Sequence, residues 1–177
     1  MEQMLISDTM CAALNQQIGH EFGASLQYVA LAAHFDRLTL PMLAAHYYRQ
    51  ADEERSHALR FVHYIVETGG RVEVPAVPAP KSRFDTAEEA AKAALDHEMG
   101  VTKQIAALVD LAVKEQDRIA ENMLQWFLSE QLEEVHSARS LLSVVQRAGE
   151  DGLLQVEDYL ARRRERSASA PAPESNG

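Results

Sequence analysis

The sequence predicts an all-α protein: a four-helix bundle in which a long crossover joins the second and third helices, followed by a short fifth helix. Three observations carry that expectation. Apolar residues recur at spacings of three and four through four long segments, and those segments hold little Gly or Pro. The Pro-bearing stretch from Gly69 to Asp85 lacks helical periodicity and is long enough to run the length of a bundle.

Residues 8–36 form the first helix, with Leu14, Ile18, Glu21, Ser25, Tyr28, Ala32 and Phe35 on its inward stripe. Glu21 interrupts an apolar seam there, and an unpaired buried charge costs several kcal/mol unless something compensates it. Leu38 to Leu40 make a short turn, and Pro41 suits the first position of the second helix. That helix places Leu43, Tyr47, Gln50, Glu54, His57, Phe61 and Ile65 inward and stops at Gly69-Gly70. So short a turn makes the first two helices antiparallel neighbours. The 17 residues from Gly69 to Asp85 carry Pro75, Pro78 and Pro80. Extended, they span at most ~58 Å, against ~42 Å for a 28-residue helix, so the second and third helices can run parallel.

Thr86-x-x-Glu89 has the form of a capping box for the third helix, whose stripe is Ala91, Leu95, Glu98, Val101, Ile105, Leu108 and Ala112. A tight reversal is expected at Glu115 to Asp117. The fourth helix then runs to Ala148 with Leu124, Phe127, Gln131, Glu134, Ala138, Leu141 and Val145 inward, and Gly149 ends it. Leu153 to Arg163 form the short fifth helix. The ordered domain is thus residues 1–163, and the Ser, Ala and Pro content of 164–177 predicts a disordered tail.

Composition narrows the function. The chain has 177 residues, 46% of them hydrophobic, enough for one domain with a sizeable core. Cys11 is the one cysteine, which excludes an internal disulfide and a cysteine-rich metal site and fits a reducing cytosol. No leader and no apolar run of about 18 residues occurs, so a cytoplasmic protein without a membrane anchor is expected. A formal charge of -10 disfavours nonspecific nucleic-acid binding and favours cations.

The polar residues inside the stripes point to those cations. Glu54 and His57 are three residues apart, so they share a helix face roughly 60° apart and can reach one metal ion. Adding 77 to Glu21, Glu54 and His57 gives Glu98, Gln131 and Glu134, and the same offset carries Glu53 to Glu130 and His20 to His97. Two halves of the chain therefore hold metal-type side chains in one register. Glu21, Glu54 and His57 would form one site, with Glu54 bridging to a second completed by Glu98 and Glu134, and Gln131 nearby. Such carboxylate-rich, one-imidazole sets suit iron or manganese better than zinc or copper. His136 closes a second Glu-x-x-His with Glu133, but lies about 200° around the helix from Glu134 and is placed outside the site.

These residues resemble the ferritins, specifically bacterial non-haem ferritins, over roughly residues 8–163. The matching pieces are Glu21, Glu53-Glu54-x-x-His57, Tyr28, Glu98 and the run Gln125 to Glu134. The resemblance implies a ferritin-like fold and a ferroxidase: Fe(II) is oxidised by dioxygen or peroxide at the di-iron centre and stored as ferric mineral in a hollow cage of roughly 24 copies. It also implies a third iron position at Glu53, Glu130, Glu133 and Glu134, and Tyr28 as an electron donor beside the centre. Haem-containing bacterioferritins place a Met after the bridging Glu and a Glu-x-x-His in the fourth helix. This chain has Arg55 and Gln131-x-x-Glu134 there, so no haem is expected.

Several residues have simpler readings. Glu53, Glu130 and Glu133 also fit a solvated acidic face, Tyr28 a core tyrosine, and Trp126 packing. His20, His34, His46, His63 and His97 are expected at the surface, and Arg162 to Arg164 at a solvated helix end. Two alternative functions share the pattern: a small di-iron or di-manganese oxidase without storage, and a DNA-protecting mini-ferritin. The latter resembles this chain in its bundle but builds its metal site between subunits.

Overall fold

The computed structural model describes residues 5–169. Four long helices, α1 (Asp8–Arg37), α2 (Pro41–Glu67), α3 (Ala87–Glu115) and α4 (Arg118–Ala148), are followed by a 3-10 turn, Glu150–Gly152, and by α5 (Leu153–Ser169). No strand occurs among the described residues. No helix there is long and apolar enough to cross a membrane.

Local chemistry sets the helix ends. Ser7, Thr86 and Asp117 cap α1, α3 and α4 by accepting hydrogen bonds from Met10 N (3.0 Å), Glu89 N (3.0 Å) and Ala120 N (2.9 Å). The capping box at α3 is shifted by one residue, because Glu89 Oε2 accepts from Asp85 N rather than Thr86 N. At the α3–α4 reversal Gln116 takes a left-handed conformation (φ 58), and Gly149 ends α4 at φ 65. Leu40 gives α2 no side-chain cap. Instead the two oxygens of Glu157, on α5, accept from Met42 N (2.7 Å) and Leu43 N (2.8 Å), and Glu150 accepts from Ala87 N at the start of α3 (2.9 Å).

Cross-helix contacts give the directions. Ser25 Oγ donates to Ala51 O, and Tyr28 stacks on Tyr47, so α1 and α2 are antiparallel. Gln17 meets Gln104 while Tyr28 meets Glu98, so α1 and α3 are antiparallel too, and α2 and α3 run parallel as the crossover requires.

The crossover is a strap laid along α1. Asn15 Nδ2 donates to Arg71 O (2.8 Å) and its Oδ1 accepts from Glu73 N (2.8 Å). Pro75 lies on Gly19 and Val77 near Gly23, and Gln27 pairs with the backbone of Lys81 through both ends of its amide. Four helical residues rise about 6.0 Å and two extended residues about 6.6 Å, so the strap advances two residues for each helical turn it crosses between Glu73 and Val77.

The core is split. One apolar cluster contains Leu31, Phe35, Leu43, Tyr47, Leu141, Val145 and Leu160; the other contains Leu14, Ile18, Phe61, Ile65, Val101, Ile105, Leu124 and Phe127. Between them lies a buried polar layer of Glu21, Glu54, His57, Glu98 and Gln131.

Two expectations are corrected. The fifth helix does not end at Arg163 but continues to Ser169, so Arg162 to Arg164 lie within it, and Asp158–Arg162 at 2.6 Å is an i, i+4 pair along its surface. The rest of the expected tail, 170–177, lies outside the described residues. His34 is buried, and His46 and His97 are half-buried, where surface positions were expected. The strap's Phe84 covers His34, burial holds His46 mainly neutral, and His97 packs edge-on against Tyr28. His20 and His63 are exposed as expected.

Candidate metal centre

The polar layer is supplied by all four long helices at one depth. Glu21 comes from α1, Glu54 and His57 from α2, Glu98 from α3, and Gln131 and Glu134 from α4. All are buried except Glu134, which is partly covered. Glu21, Glu54 and His57 each offer a ligand atom, all within 4.8 Å of one another, and His57 Nδ1 is 3.3 Å from Glu54 Oε2. Tyr28 donates its hydroxyl proton to Glu98 Oε1. Thr102, one turn beyond Glu98, donates to Gln131 Oε1 at 3.0 Å, and Gln131 lies near enough to Glu98 to oppose the rise of its pKa.

These carboxyls are under electrostatic stress. Burial, then the Glu54 charge, raises Glu21 well above the usual carboxylate range. Glu54 is pushed up to about 8 by burial and then by Glu98. Glu98 is raised by burial against the lowering effect of the Tyr28 hydroxyl. Glu134 is pushed up to about 8 by burial, then by Glu98 and Glu53. As ionised groups, Glu21, Glu54 and Glu98 each leave one buried oxygen without a hydrogen-bond partner. A proton shared between Glu21 and Glu54 relieves one conflict; a cation between the four helices relieves all of them. Hard oxygen donors with one imidazole fit ferrous or ferric iron.

Residues beyond the expected set shape this layer. Gln17 donates to Glu21 Oε1 at 2.8 Å and to Gln104 at 3.2 Å. Trp126 packs nearly perpendicular to His57, 5.6 Å between centroids, and carries the Arg60 guanidinium on its face at 3.8 Å. Gln17 lies one turn before Glu21 and Thr102 one turn after Glu98. That i, i+4 spacing is the signal in the sequence that could have found them.

Beside the layer, a cleft of about 940 Å³ lies between α2, α4 and α5. Glu53, Glu133 and Glu134 line it, together with Gln50, His46 and Arg49. Glu130, partly buried, is near enough to Glu134 to help raise it. The four acids implied for a third position therefore gather around Glu134. His136 is exposed and lines the same cleft, outside the Glu21, Glu54 and His57 group. Burial, then Arg49 and Arg163, pushes the His46 imidazole down to about 4.

The fold and this layer define a class, the helical bundles that enclose a carboxylate and imidazole ligand set between their helices. The chain belongs to the ferritin family: the family's ferritin-like domain matches residues 11–148. It is similar to ferritin BfrB of Mycolicibacterium smegmatis, with 41% identity over 167 residues, 94% of this chain and 92% of that one. It is also similar to the bacterial non-heme ferritin of Staphylococcus haemolyticus, with 35% identity over 147 residues, 83% of this chain and 89% of that one. Among solved structures, the open pore ferritin from the hyperthermophilic archaeon Archaeoglobus fulgidus superposes with a TM-score of 0.85 at 36% identity, covering 88% of this chain and 96% of that one.

Proposed function

We propose that this chain is an iron-storing ferroxidase: it binds Fe(II) at Glu21, Glu54, His57, Glu98 and Glu134, oxidises it, and keeps the Fe(III) as mineral within a hollow cage of copies of itself, 24 as the family resemblance implies. The observation that carries this is the buried Glu21, Glu54 and His57 group in a ferritin-family bundle, with carboxylate oxygens that lack partners. Glu54, in contact with the Glu21 and His57 side and sensing the charge of Glu98, is suited to bridge two ions. Two Fe(II) together release two electrons, which reduce dioxygen with two protons to hydrogen peroxide. Tyr28, hydrogen-bonded to Glu98, orients that carboxylate. Gln131, held by Thr102 of α3, positions the α4 side of the site. Glu53, Glu130, Glu133 and Glu134 form an acidic exit position for iron leaving the pair.

Aerobic Fe(II) loading of the metal-free protein, followed by size-exclusion with protein and iron read in each fraction, tests this. Iron far in excess of two per chain, eluting with a cage-sized particle, is expected. About two irons per chain on a small oligomer would refute storage and support a di-metal oxidase acting on an organic substrate.

A further inference from the structure

Gln50 stands where the cleft meets the buried layer. It lies on α2 one turn before Glu54 and is 8% exposed. Its amide nitrogen donates to Glu53 Oε2, on the same helix, and across to Glu134 Oε2 on α4 at 3.0 Å. Glu53 is exposed to the cleft, Glu134 is partly covered, and Glu54 is fully buried. The three carboxylates thus form a graded series from solvent to interior, and one neutral amide ties the outer two together.

Both amide protons are engaged by the oxygens that a cation moving from Glu134 to Glu53 would need. A carboxamide satisfies those oxygens without charge, so it can hold the pair closed while they are metal-free and yield when a cation displaces it. The cleft beside it has room for the displaced side chain, since its volume of about 940 Å³ far exceeds that of a Gln side chain.

Resting on the iron-handling function proposed above, we propose that Gln50 is a latch governing passage of iron between the buried centre and the cleft. It is a positioning residue: it acts through Glu53 and Glu134 and controls how soon the centre is cleared for the next pair of ions.

The test uses the whole assembled protein and two variants. After one stoichiometric aerobic addition of Fe(II), a second addition is made at increasing delays, and the recovery of the fast oxidation burst is followed by ferric absorbance. Gln50→Ala removes the latch, and the ratio of recovery rate to burst rate should rise severalfold. Gln50→Glu keeps the shape, cannot donate, and adds a carboxylate that holds the product cation, so the same ratio should fall severalfold. A purely structural role would move both variants in one direction. Ratios within twofold of wild type, or shifted in the same direction in both variants, overturn the latch. Should Gln50→Ala fail to assemble, a rise or no change in the near-isosteric Gln50→Glu overturns it alone. Absence of any burst in the wild type would instead refute the ferroxidase function, and the latch with it.

Discussion

The contact between the strap and α1 makes a sharp prediction at Gly19. A Cβ built there would lie 2.3 Å from Pro75 Cγ and 3.2 Å from its Cδ. Ordinary carbon contacts are about 3.5–4.0 Å, so ring or helix must retreat by more than about 1 Å. The ring has little freedom, because Asn15 holds the strap backbone at Arg71 and Glu73 just before it. Overpacking of this kind costs about 1–3 kcal/mol, while Gly to Ala in a helix interior returns about 0.5–1 kcal/mol. Gly19→Ala should therefore destabilise by up to about 2.5 kcal/mol net. Two controls isolate the clash. At Gly23 the nearest atom, Val77 Cγ1, is at an ordinary 3.6 Å, and at Gly100 nothing lies within 4 Å, so Ala at either should stabilise through propensity alone. At about 2–4 °C per kcal/mol, melting of Gly19→Ala should fall by several degrees and that of Gly100→Ala rise by about 1–4 °C. Pro75→Ala in the Gly19→Ala background should recover most of the loss. Scanning calorimetry of all variants in one buffer decides it. A Gly19→Ala protein melting with or above Gly23→Ala, or no recovery from Pro75→Ala, would show that the strap does not press on α1 as described.

Three further predictions concern the centre and its frame. Glu54→Ala and His57→Ala should slow Fe(II) oxidation by more than about tenfold without loss of assembly, whereas His136→Ala should change it little; stopped-flow absorbance reads the rates and size-exclusion the assembly. Glu54 and Glu134, with pKa values raised to about 8, contribute stability that is present below the ordinary carboxylate pKa and lost as pH rises through 8. The metal-free protein should therefore melt progressively lower from pH 5 to pH 8.5, and Mn(II) should abolish that slope; a flat metal-free profile would contradict it. Glu157→Gln should cost about 0.5–1 kcal/mol by removing the carboxylate charge from the start of α2, read as a melting shift that added salt diminishes.

The helical stripes were legible because each long helix buries one face against its neighbours, so spacing alone located Glu21, Glu54, His57, Glu98 and Gln131 in the interior. The 77-residue offset carries buried Glu21 onto buried Glu98 and buried Glu54 onto buried Gln131, but it carries exposed His20 onto half-buried His97, because it says nothing of which neighbour covers a position. What spacing could not convey was the second layer of cover. His34 and His46 lie beside Phe35 and Tyr47 at the margins of those stripes; Phe84 of the strap covers His34, and His46 is half-buried where α5 borders the cleft. Periodicity within a helix carries no information about what a loop or a later helix lays on it. Asn15, Gly19, Gly23 and Gln27 show the same limit, since their four-residue spacing is regular but the strap they receive has no periodicity of its own. The length of α5 was missed because composition weighs Ser and Ala as tail residues, whereas Arg and Ala are also strong helix formers.

The crossover also determines what the far end of the chain can do. In an up-and-down bundle, successive helices begin at opposite ends, and no short segment could touch the starts of both the second and the third. Here α2 and α3 begin at the same end, so within eight residues Glu150 and Glu157 reach both helix starts with carboxylates. Those two helices carry Glu54, His57 and Glu98. The segment after Gly149 is thus a clasp across the mouths of two parallel helices, fixing the starts of the elements that carry the buried carboxylates and imidazole.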